Sequence, residues 1–148
     1  MKLKIAWIGK TKEPAIESLT AEYVKRISRF AEVTAVAVKD EAAILSLAKG
    51  ERQVTKECHK LVLLDSRGKQ LSSEELAQFL DREQLNAIPL LFAIGGSDGF
   101  TDEARRQAAF TLSLGKMTLP HELARVVLVE QIYRAFTILK SHPYHLGH

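Results

Sequence analysis

Short apolar runs alternate with amphipathic stretches from one end of the chain to the other. Leu3 to Ile8 has strand character and is closed by Gly9. Glu13 to Phe30 then takes helical spacing, with Pro14 in the first turn, where a missing N–H costs little. Val33 to Val38 predicts a second strand, and Asp40 is placed to cap a helix running to about Cys58, with Gly50 as its weak point. Leu61 to Leu64, four apolar residues in a row, predicts a third strand covered on both faces. Residues 65–69 read as a turn. Ser72 and Glu75 have the capping-box spacing, which opens a helix through about Gln84. Leu90 to Ile94 is a fourth strand, Asp102 to Ala109 a short helix, Thr111 to Leu114 a fifth strand, and Glu122 to Lys140 a long helix. This alternation predicts one α/β domain over residues 1–148, a mostly parallel sheet with helices packed on its faces.

The last helix is apolar around much of its circumference. Val126, Val129, Ile132, Tyr133, Phe136 and Leu139 lie broadly on one side, and Leu123, Val127 and Ile138 cover much of another. Such a helix is buried on more than one face. In a chain of 148 residues this predicts a partner subunit, hence a homodimer through this helix.

Composition adds bounds to this picture. A 46% apolar content supplies one continuous core, and 26% charged residues with four prolines match neither a disordered chain nor a linker. Apolar runs such as Val126 to Val129 are far too short to cross a bilayer. The basic then apolar start is short and lacks a small-residue cleavage site, so it reads as a first buried strand. The single Cys58 reads as a buried, inert thiol, and with no internal disulfide available a cytoplasmic location is expected. Net charge is only +3, but residues 1–74 hold 14 Lys or Arg against 10 Asp or Glu, whereas residues 75–148 hold 7 against 8. Such a basic half suits either a phosphate backbone or an ordinary solvated surface.

Two glycine-bearing loops follow strands, where open α/β sheets place their ligands. The first, Gly95-Gly96-Ser97-Asp98-Gly99, has neither the dinucleotide nor the phosphate-loop spacing, so it is either a ligand cradle or a plain tight turn. The second, Leu114-Gly115-Lys116-Met117-Thr118-Leu119-Pro120-His121, leads into the long helix. His121 is by type a general base and equally a helix-start surface residue. Ser97 lacks a nucleophile elbow. His142, His145 and His148 have no carboxylate or thiol companions at ligand spacing, so no metal is expected.

These two loops, together with Arg125-Val126-Val127-Leu128-Val129-Glu130-Gln131-Ile132-Tyr133-Arg134-Ala135 and His142-Pro143-Tyr144-His145, resemble the large-subunit ribosomal RNA methyltransferase H family of the SPOUT superfamily. Met1 to Gly9 and Ala21-Glu22-Tyr23 also match, so the resemblance spans nearly the whole chain. It implies a C-terminal trefoil knot, which topology rules alone make a poor first guess. It further implies S-adenosyl-L-methionine as cofactor, held by Leu64, Gly95, Leu114, Gly115, Lys116, Met117, Thr118 and Leu119. The implied reaction is methylation of N3 of a pseudouridine in large-subunit rRNA on the assembled ribosome, by a homodimer, without a metal. His121, Arg125, Tyr133, Arg134 and His145 are the implied catalytic or orienting groups. Arg125, Glu130 and Arg134 also fit a surface ion-pair network. Other readings are a SPOUT enzyme acting on another RNA such as tRNA, and a ribosome-binding module without catalysis.

Overall fold

The computed structural model of the chain describes residues 1–51 and 57–146. Its elements run β1 (Lys2–Ile8), α1 (Pro14–Ile27), β2 (Glu32–Val38), α2 (Glu41–Ala48), β3 (Lys60–Gln70), α3 (Ser73–Asn86), β4 (Leu90–Ile94), α4 (Asp102–Gln107), β5 (Phe110–Ser113) and α5 (His121–Leu139). A single 3-10 turn, Pro143–His145, follows α5. The strands form one sheet in the order β2-β1-β4-β3-β5, and every pairing is parallel. The expected α/β architecture is what the chain adopts.

Because successive strand residues point to opposite faces, the apolar runs fill two cores. Leu3, Ile5, Val62, Leu90, Phe92 and Ile94 meet α1, α3 and α5 on one face. Ala6, Leu61, Leu63, Leu91 and Ala93 meet Ile44 of α2 and Phe100 and Ala104 of the α4 segment on the other. The first core is anchored by α5, whose Leu128, Val129, Ile132 and Phe136 are fully buried. Burying each such side chain contributes roughly 1.5–3 kcal/mol. The all-round apolar character of α5 has an internal cause, since α1 and α3 flank it within the same chain. What it leaves outside is Leu123, 47% exposed, beside the half-buried Val126 and Val127.

Several boundaries differ from the sequence expectation. α2 ends at Ala48 and is capped by Asp40, whose side chain accepts from the Ala43 amide, so the helix does not reach Cys58. Residues 52–56 of that expected helix lie outside the described residues. Cys58 is exposed, its thiol facing the Lys49 carbonyl at 3.4 Å, rather than buried. The supposed turn at 65–69 is instead a continuation of β3, which shifts register between Leu64 and Lys69 against Leu112 of β5. Gly68 makes this possible. A Cβ there would stand 2.6 Å from the Thr111 carbonyl oxygen, a backbone contact that no other residue tolerates. Ser72 and Glu75 do form the capping box, and α3 runs to Asn86 with Ala87 left-handed at φ 56°.

Candidate active site

The carboxyl ends of β3, β4 and β5 enclose a cleft of about 190 Å³. Leu64, Asp65 and Ser66 form one wall, Ile94, Gly95, Gly96 and Gly99 a second, and Leu112 through Gly115 with Met117, Thr118 and Leu119 a third. His121 and Ala124, in the first turn of α5, close the inner end. Parallel strands end together on one side of a sheet, which is why three distant segments converge here.

Each wall is fixed by a local device. Ser113, 3% exposed, donates its hydroxyl to the Gly115 carbonyl at 2.9 Å and accepts from the Gly115 amide at 3.2 Å, which sets the direction of the loop. Asp65 accepts from the Arg67 amide with one oxygen and from Arg105 Nη1 with the other, at 2.8 and 2.7 Å. Arg105 also donates to the Phe100 carbonyl at 2.8 Å. Its guanidinium is held above its ordinary pKa by hydrogen bonds to Asp102 and Asp65. At the inner end, a Glu122 oxygen accepts from the amides of Lys12 and Glu13, tying the start of α5 to the start of α1.

Of the residues expected to hold a cofactor, Leu64, Gly95, Leu114, Gly115, Met117, Thr118 and Leu119 all line the cleft. Lys116 does not; it is exposed beside it. Gly95 is close-packed from behind, since a Cβ there would stand 3.3 Å from Phe100 Cε2 and 3.4 Å from Gly99 backbone. A glycine-walled, partly apolar slot of this kind suits the flat adenine and thin methionine chain of S-adenosylmethionine, with backbone groups as partners.

The expected catalytic residues divide into three places. His121 is at the cleft. Arg125 faces away from it, 1% exposed, with its guanidinium 4.1 Å over the Trp7 ring and Nη1 donating to Thr11 Oγ1. Burial depresses its pKa. Tyr133 and Arg134 lie twelve and thirteen positions beyond His121, about 18–20 Å along the helix axis. There Glu130 accepts from Arg134 Nε at 3.0 Å and from the Tyr144 hydroxyl at 3.1 Å. The Tyr23 hydroxyl lies 3.3 Å from that of Tyr144, whose ring meets Tyr133 edge-on at 4.6 Å between centroids. The Glu130–Arg134 half of the supposed ion-pair network therefore exists, while Arg125 is outside it. His145 follows Tyr144 in the 3-10 turn, with a buried Nδ1 that has no partner among the described residues.

Sequence reasoning did not assign Asp65, Ser66 or Ser113 to the site, and it placed Gly96 and Gly99 only in a loop that was either a ligand cradle or a tight turn. The hydroxyl of a residue two before a glycine at a strand end is the one signal that pointed to Ser113.

The sequence profile of a family described as "Predicted SPOUT methyltransferase" matches residues 1–145. The chain belongs to the SPOUT methyltransferase family. "Ribosomal RNA large subunit methyltransferase H" of Koribacter versatilis is 52% identical over 149 residues, spanning 100% of both chains. The protein of the same name from Geobacter sulfurreducens is 42% identical, covering 98% of this chain and 99% of its own. Among solved structures, a probable methylase family protein from Haemophilus influenzae superposes with a TM-score of 0.58 at 15% identity, over 96% of this chain and 69% of the other. The SpoU methyltransferase AviRb from Streptomyces viridochromogenes, in complex with the cofactor AdoMet, gives 0.53 at 14% identity, over 90% and 57%. Those two likenesses support the fold. Among the described residues no group of His, Cys, Asp and Glu could hold a metal, and no helix is long and apolar enough to cross a membrane.

Proposed function

We propose that the chain transfers the methyl group of S-adenosylmethionine to N3 of a pseudouridine in large-subunit ribosomal RNA, on the assembled ribosome in the cytoplasm, as a homodimer. The observation that carries this reading is the strand-end cleft itself. Seven of the eight residues that the family resemblance assigns to the cofactor converge there, in a chain 52% identical to a protein named for this reaction class.

Bound in the cleft, S-adenosylmethionine supplies an electrophilic methyl on a sulfonium. Transfer of that methyl to N3 would break the sulfur–carbon bond, and the N3 proton would have to leave to a base. His121 is the side chain at the cleft suited to receive it. The glycine walls, with Leu114, Met117, Thr118 and Leu119, orient the methyl, and the Ser113 and Arg105 contacts keep those walls in place. The path of the chain supports a trefoil knot. After edge strand β5 the loop from Leu114 lines one cleft with residues of β3 and β4 before α5 begins, while Lys69 and Gln70 pair with Leu112 and Ser113 of β5 before the chain enters α3.

A dimer is supported by the exposed apolar group of Met117, Leu119 and Leu123 beside the cleft. It is supported too by the distance between His121 and the Tyr133, Arg134 and His145 cluster, which one subunit does not bring together. In a pair of subunits the tail of one completes the cleft of the other.

Calorimetry with S-adenosylmethionine and mass spectrometry of rRNA from cells with and without the gene test the reading. The expected result is one cofactor bound per chain and a methyl-pseudouridine signal that disappears with the gene. An unchanged rRNA signal with a methyl mark lost from tRNA would move the substrate to tRNA. Absence of cofactor binding would leave a ribosome-binding module without catalysis.

A further inference from the structure

A second hollow, of about 670 Å³, opens between α1, edge strand β2 and the first turn of α5. Ala124 faces the cleft and Arg125 faces this hollow, so consecutive residues of α5 serve the two. One wall is apolar, built by Val24, Val33, Ala35 and Ala37. The opposite side carries Arg125 over Trp7.

The polar groups here are unusual. Of the four buried side-chain polar atoms without a partner among the described residues, three belong to this site: Trp7 Nε1, Thr20 Oγ1 and Arg125 Nε. Thr20 and Arg125 are themselves at least nine-tenths buried. Buried donors left without acceptors destabilise a fold, so their concentration at one hollow calls for an acceptor there. Charge points the same way. Lys10 and Lys25 join Arg125 around the hollow, and Glu17 is the one acid on its lining among the described residues, with Glu122 acting on Arg125 from beyond. A neutral apolar ligand would leave the buried guanidinium uncompensated, and a bare oxyanion would leave the valine and alanine wall wet. A ligand with an anionic end and a flat, weakly polar end satisfies both, and the volume is that of a small-molecule site.

We propose that this hollow is a second ligand site, taking one nucleoside monophosphate unit with its phosphate at Arg125 and Lys10 and its base against Val24, Val33 and Ala35. The unit is either a free mononucleotide or a nucleotide of the RNA flanking the one in the cleft. The second source rests on the methyltransferase reading, whereas the site itself does not.

Trp7 is the single tryptophan of the chain and lines the site, so its fluorescence reports occupancy directly. The full chain is first saturated with S-adenosylhomocysteine, checked by calorimetry, so that the cleft is filled. It is then titrated with uridine monophosphate, uridine, inorganic phosphate and a short single-stranded RNA. Saturable quenching by uridine monophosphate is expected, with uridine and phosphate each at least about tenfold weaker. Ala35→Glu, which sets a carboxylate on the wall, should weaken the nucleotide about tenfold or more and leave S-adenosylhomocysteine affinity unchanged. The near-isosteric Thr20→Val, should Ala35→Glu fail to fold, should weaken it in the same direction. RNA binding at least about tenfold tighter than the mononucleotide assigns the site to the substrate strand, and equal or weaker RNA binding assigns it to a free nucleotide. No saturable Trp7 response to any of these, as when a second subunit fills the hollow, or equal responses in wild type and variants, would overturn the proposal. Failure to bind S-adenosylhomocysteine would instead count against the methyltransferase reading alone.

Discussion

Arg105 holds Asp65 at 2.7 Å across the outer wall of the cleft, and from the same Nη1 reaches the Phe100 carbonyl. One side chain thus fastens the middle of β3 to the segment after β4. Its partner carboxylate is only 9% exposed, so the pair is well shielded from solvent.

Arg105→Gln should therefore loosen two walls at once. A hydrogen bond to a charged group contributes about 1.5–3 kcal/mol, part of which the glutamine retains, so a three- to tenfold loss of S-adenosylmethionine affinity is expected. Calorimetry reads this directly, and an unchanged affinity would show that the walls hold themselves.

Gly95→Arg should abolish cofactor binding. The substituted Cβ meets Phe100 and Gly99 at van der Waals limits, so its longer atoms are forced toward the ligand's place. Cofactor affinity comparable to wild type would reduce the loop to a simple turn. The thermal midpoint should fall modestly, by roughly 2–8 °C, from overpacking against Phe100.

Ala87 terminates α3 with φ 56°, in the left-handed region that favours glycine. Ala87→Gly should stabilise the chain by about 0.5–1 kcal/mol, the relief of strain outweighing the added freedom of the unfolded chain. Chemical denaturation checks it; a lower midpoint would contradict the strain argument.

Much of this architecture is legible in the sequence because it is local. The Ser72 and Glu75 capping box, the Asp40 cap and the five apolar runs depend on neighbours within a few residues. What escaped depends on distant contacts. Residues 65–69 carry turn-forming types, yet β3 runs through them as a bulge, with Leu64 and Lys69 both opposite Leu112 of β5, and Gly68 is needed there for close approach. Arg125 and Arg134 are nine positions apart on one helix and were read together, but a helix turns one toward Trp7 and the other toward Tyr144. The loops of the site could be named from the chain; which side chains reach them could not.

Tyr144 gives a pH signature. Burial, then the Tyr23 hydroxyl and the Glu130 charge, raise its phenol above the ordinary value of 10.0. A folded-state pKa raised above the unfolded one means the protonated phenol contributes fully below about pH 10, and the contribution is lost as pH rises through the folded value. Wild type should begin to lose this increment as pH rises above about 10, and Tyr144→Phe should not. At pH 8 the variant should be about 0.5–1.5 kcal/mol less stable, for want of the hydroxyl's bonds. Parallel stability curves across that range would remove the tail tyrosine from the network.

The position of α5 also orders events in time. It is the last helix to be synthesised, yet it fills the middle of the larger core, between α1 and α3. Until His121 and the residues after it have left the ribosome, Leu3, Ile5, Val62 and Phe92 have no lid. The nascent chain therefore carries an open apolar face until α5 has emerged, and the larger core closes only then.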